Sequence, residues 1–122
     1  MLVSQRWIEG KELKAMGDAL QSLEQQYLFL TQHLSDILDA CETDDQRNQV
    51  RTSYVEARRN YWNAINQIFH DDDPRIEQVV EQMHDAQDSL EHMTQELANI
   101  AQVINAISTV VKIGTELASM AG

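Results

Sequence analysis

The sequence predicts an all-α fold, an up-down-up bundle of three long amphipathic helices with coiled-coil-like heptad packing and a third helix longer than the others. Three observations predict it. First, 122 residues contain one proline and four glycines, too little punctuation for the many turns of a β fold, while Leu, Ala, Gln, Glu and Met abound. Second, apolar residues recur in alternating steps of three and four over long stretches. Third, two polar breaks carry helix-start chemistry. A 43% apolar content is enough for one core, so residues 1–122 read as a single helical domain.

The first helix is expected over about 11–41. Its seam runs Leu13, Met16, Leu20, Leu23, Tyr27, Leu30, Leu34, Ile37 and Cys41, with Leu28 and Leu38 widening it. Trp7 and Ile8 precede Gly10, so the first ten residues are read as a separate turn or a frayed extension. At the first break, Thr43 followed by Gln46 forms a capping-box pattern, and Asp44 and Asp45 suit the positive end of a helix dipole. The second helix is expected from about 44 to 70 on the seam Val50, Tyr54, Ala57, Tyr61, Ala64 and Ile68, with Val55, Trp62, Ile65 and Phe69 broadening its apolar face.

The second break is His70-Asp71-Asp72-Asp73-Pro74, where Asp73 is placed to cap and Pro74 to occupy the first helical position. The third helix is expected over about 74–113 or beyond. Its seam reads Val79, Met83, Ala86, Leu90, Met93, Leu97, Ile100, Ile104, Ile107 and Val111, and no Gly or Pro lies between Arg75 and Ile113. A rod of about forty residues would be about 60 Å long and would outreach the second helix.

Composition also restricts function. Nine Lys or Arg against twenty Asp or Glu give a formal charge of −11, which disfavours partners rich in phosphate, whether nucleic acid or anionic lipid. Residues 43–70 are the exception, with four basic residues against three acidic ones, whereas residues 71–122 hold two against ten. The lone Cys41 excludes an internal disulfide and is expected as a buried reduced thiol. With no secretory signal pattern at Met1, the cytoplasm is the expected compartment.

Chemical motifs are sparse, and no cofactor is implied. Glu81 and His84 form one E-x-x-H, a spacing that di-metal bundles use twice, and a metal-dependent oxidase is the enzyme reading it suggests. Glu77, Glu81, His84, Asp88 and Glu91 fall roughly 80° to 160° from Met83 on a helical wheel, which favours a solvated stripe over an inward metal site. With Asp85, the acidic residues of that stripe also suggest imitation of nucleic-acid charge. The triplet Asp71 to Asp73 lacks the alternation and terminal Glu of an oxygen-rich calcium loop.

Two surfaces stand out as interfaces. Arg51 and Arg58 share a wheel angle with Trp62 and Phe69, a combination enriched where proteins meet. The competing expectation places both aromatics in the core and pairs the arginines with acidic flanks of the same chain. Residues 97–111 carry no charge, and Val103, Val110 and Leu117 add an apolar column beside Ile100, Ile104, Ile107 and Val111. On a long third helix these seven residues want a second copy of the chain or a protein partner. A membrane-acting or exported subunit is the alternative, although polar residues interrupt the stretch too often for a span. The favoured function is a non-enzymatic protein-binding module that self-associates, such as a small acidic chaperone, adaptor or inhibitor-like binder.

Overall fold

A computed structural model describes residues 2–121 apart from 96, and side chains from residue 17 onward with the same exception. Among the described residues there are four helices: α1 (Leu2–Ala40), α2 (Asp44–Ala64), α3 (Pro74–Thr94) and α4 (Ile100–Ser119). The expectation of three helices is therefore corrected, as are several boundaries. Helical backbone begins at Leu2, so Gly10 lies within α1 rather than ending a separate turn. The side chains of Trp7, Ile8, Leu13 and Met16 lie outside the described residues.

Two starts follow from local chemistry. The Thr43 side chain accepts from the Gln46 N–H at 3.1 Å while the Gln46 side chain accepts from the Thr43 N–H, completing the capping box. Asp73 accepts from the Arg75 N–H at 2.9 Å with Pro74 as the first helical residue. The end of α2 differs from expectation, because the helix stops at Ala64 instead of His70. Residues 65–73 then leave the helical path to cross to α3, which turns Phe69 toward the core and leaves Ile68, a predicted seam residue, 69% exposed.

The predicted third rod is two helices, and nothing as conspicuous as Gly or Pro separates them. Leu97 adopts φ 50°, the left-handed conformation, and its N–H bonds the Met93 carbonyl at 3.2 Å to close the end of α3. Asn99 then caps α4, its side chain accepting from the Gln102 N–H at 3.3 Å. A left-handed leucine costs about 1–2 kcal/mol locally. Burial of α4 outweighs it: eight of the twenty residues of this helix are buried, six of them Ile or Val. Fully burying such side chains contributes about 1.5–3 kcal/mol each, so folding back is strongly preferred to a projecting rod.

Core composition shows how the helices are arranged. One apolar cluster joins Leu30, Ile37, Cys41, Val50, Ala57 and Leu90 to the first half of α4, and a second joins Ala19, Leu23, Ala64, Ile76, Met83 and Leu117. Thus α1 and α3 run one way and α2 and α4 the other. Among the described residues α4 touches all three other helices, as does α1, whereas α2 and α3 share no contact and occupy opposite corners.

Heptad coiled-coil packing, the other part of the expectation, is not found. A heptad seam faces one groove, but α4 buries Ile100, Val103, Ile104, Ile107, Val110, Val111, Gly114 and Leu117, an arc broad enough for three neighbours. The seam residue Met93 is 38% exposed, while Gln26, off the predicted seam, is only 1% exposed. Its Nε2 donates to the Val110 carbonyl at 2.8 Å, and a Cβ at Gly114 would lie 2.8 Å from its Oε1, so glycine makes room for the amide. Asn60, also buried, donates from Nδ2 to Thr115 Oγ1 at 2.9 Å.

Candidate docking face

The surface that combines charge with exposed apolar groups lies on the outer side of the α1–α2 pair. Three tyrosines join the two helices. The Tyr27 ring sits 5.8 Å from Tyr54 and 5.7 Å from Tyr61, centroid to centroid, and Tyr61 in turn lies 5.9 Å from Trp62. These separations are those of interacting aromatic pairs. The Tyr61 hydroxyl donates to Glu24 Oε2 at 2.7 Å, and this bond, aided by burial, holds the phenol above its ordinary pKa. At the next turn the hydroxyls of Thr31 and Tyr54 lie 3.2 Å apart. The pair is thereby fixed in register.

Beyond this ladder the apolar groups are not covered. Leu28 and Trp62 are each 53% exposed and Val55 is 49% exposed. Arg51, Arg58 and Arg59 are exposed on the same helix as Val55 and Trp62, and a shallow depression is lined by Arg51, Thr52, Val55, Glu56 and Arg59. Among the described residues ion pairs form at Arg47 with Asp44 and at Arg75 with Asp73, and none involves Arg51, Arg58 or Arg59. Among the described residues no acidic flank of the same chain pairs with these arginines, and Trp62 lies at the surface instead of in the expected core. Phe69 is separated from the strip: it is half-buried against the second apolar cluster, past the end of α2.

The seven α4 residues singled out in the sequence lie elsewhere. Ile100, Val103, Ile104, Ile107, Val110, Val111 and Leu117 are at most 6% exposed within a single chain. The apolar demand that suggested a second copy is met by α1, α2 and α3 once the chain folds back at Leu97. No helix among the described residues is long and apolar enough to cross a membrane.

Glu77, Glu81, Asp85, Asp88 and Glu91 are exposed along α3, as the wheel predicts. His84 lies 3.0 Å from Ser22 Oγ through its Nε2, an α1–α3 contact that the sequence did not indicate. Asp18, Asp71, Glu77, Glu81 and His84 border a hollow of about 270 Å³, yet among the described residues no three His, Cys, Asp or Glu are arranged to hold a metal ion. Asp71 instead ties the crossover to α1, since its Oδ1 accepts from the Ala19 N–H at 2.9 Å. Burial raises its carboxyl pKa, the Ala19 bond opposes this, and Asp18 and Asp72 raise it further.

What sequence reasoning missed at this face is Leu28 and Val55, which it placed among the groups broadening a buried surface. A wheel contained the signal for Leu28, which lies about 140° from the fully buried Leu23. Compared with protein-family models, with curated proteins and with solved structures, the chain matches none.

Proposed function

We propose that this chain is a non-enzymatic helical interaction module, and that it engages a protein partner through the outer α1–α2 face. One observation carries the reading: half-exposed Trp62 and Val55 share a face of α2 with three arginines that have no ion-pair partner among the described residues, and Leu28 is half-exposed on the neighbouring α1. Exposed Trp and Arg are the residue types that dominate binding energy when a partner desolvates them. Exposed guanidinium groups can form charge-assisted hydrogen bonds to a partner's carboxylates. A small acidic adaptor or inhibitor-like binder is the concrete form this suggests.

The test is a comparison of the wild type with an Arg58→Glu/Trp62→Ala double variant, both purified from the native host under mild conditions. Neither Arg58 nor Trp62 is a core residue, so the variant stays folded, its loss of stability confined to the Tyr61–Trp62 contact. A partner that accompanies the wild type and is lost from the double variant supports the reading. The same partner retained by both proteins refutes it.

A further inference from the structure

The corner arrangement has an electrostatic result. Because α2 and α3 share no contact among the described residues, the exposed arginines of α2 and the exposed carboxylates of α3 are carried on helices at opposite corners of the molecule. Their charges are spaced alike. Arg51 and Arg58 are seven residues apart on α2, and Glu81 and Asp88 are seven apart on α3, all four exposed. At 1.5 Å per residue each pair spans about 10.5 Å along its helix. One ridge therefore matches the other in spacing and is opposite in sign.

We infer that a second copy of this chain docks its acidic α3 ridge onto the α2 face, pairing Glu81 and Asp88 with Arg51 and Arg58. This rests on the assignment of α2 as a docking face and names its occupant. Two different patches meet, so the contact is heterologous: each added copy leaves one free α2 face and one free α3 face, and assembly proceeds head to tail. The formal charge of −11 opposes association at long range. At about 0.15 M salt the screening length is about 8 Å, so repulsion between whole molecules is damped while pairs in direct contact persist. Association is consequently strongest at moderate ionic strength and is lost in high salt.

Sedimentation velocity tests this with the wild type and two neutralised variants, Arg51→Gln/Arg58→Gln and Glu81→Gln/Asp88→Asn. The wild type is expected to sediment faster as its concentration rises at moderate salt. Each variant alone stays monomeric, because it keeps only one working face. An equimolar mixture forms a one-to-one dimer and stops there, since the arginine face of one variant meets the acidic ridge of the other and no further faces remain. A wild type that is monomeric at every concentration overturns the inference, and so does an acidic-ridge variant that associates as the wild type does. If the wild type is monomeric but loses its host partner on Arg58→Glu/Trp62→Ala substitution, the docking face stands and the second copy is the part that fails.

Discussion

Gly114→Ala is expected to destabilise the protein, although the same exchange inside a helix ordinarily stabilises it. Gly114 lies within α4, where alanine is favoured over glycine by about 1 kcal/mol. The added Cβ would meet Gln26 Oε1 at 2.8 Å, Nε2 at 3.2 Å and Cδ at 3.3 Å. The amide must retreat by about 0.6 Å to reach ordinary contact, yet Gln26 is 1% exposed and its Nε2 is held to the Val110 carbonyl at 2.8 Å. Breaking that bond with the amide still buried costs about 2–3 kcal/mol, combining the lost bond with the unsatisfied donor. The net effect is a loss of about 1–2 kcal/mol, or roughly 4–8 °C in melting temperature for a domain of this size. In a Gln26→Ala background the obstacle is gone, and Gly114→Ala should then stabilise by about 1 kcal/mol. Urea denaturation of all four proteins measures the coupling, expected at about 2–3 kcal/mol with a change of sign between backgrounds. Equal stabilisation in both backgrounds would refute the packing of Gln26 against Gly114.

Ile107→Glu places a carboxylate at a site 1% exposed, a burden of several kcal/mol that removes most of the stability of a domain this size. Loss of cooperative far-ultraviolet melting is expected, and a wild-type melt would show that α4 is not enclosed. Asn99→Ala deletes the cap of α4 and should cost about 1 kcal/mol in urea denaturation. For Asp71, a folded pKa above the ordinary value means that the native state binds the proton more readily, so its contribution to stability falls as pH rises through that range. Asp71→Asn keeps an oxygen for the Ala19 N–H and cannot ionise, so it should melt above the wild type at pH 7, with the difference vanishing at pH 3.

Helix identity was legible wherever a local signal and the tertiary fold agreed. Thr43 with Gln46, and Asp73 with Pro74, are complete instructions written within four residues, and both starts form as written. The end of α3 at Thr94 and the new start at Ile100 were not legible because the heptad pattern runs straight through them. Leu97 takes a conformation that leucine disfavours, and the cause lies in the enclosure of residues distant in sequence. Two hints existed: Asn99 with Gln102 three residues later, and a fifteen-residue stretch without charge that wanted neighbours on more than one side. The same misreading moved the candidate interface. Once α4 is enclosed, the apolar surface left for a partner is the smaller strip around Trp62, whose exposure depends on how α1 and α2 meet and not on α2 alone.

The buried content of α2 is small: Val50, Ala57, Asn60 and Ala64, against eight residues for α4. Removal of α2 from the bundle therefore takes fewer buried side chains out of the core than removal of α4, which supplies residues to both apolar clusters. In amide hydrogen exchange, the protons of α4 should be released only when the whole molecule opens, and those of α2 through smaller, more frequent excursions. Of these two helices, the one that bears the docking face is thus the more able to adjust its position. A partner seated on Trp62 and Arg58 would slow exchange along α2 well before it altered the protection of α4.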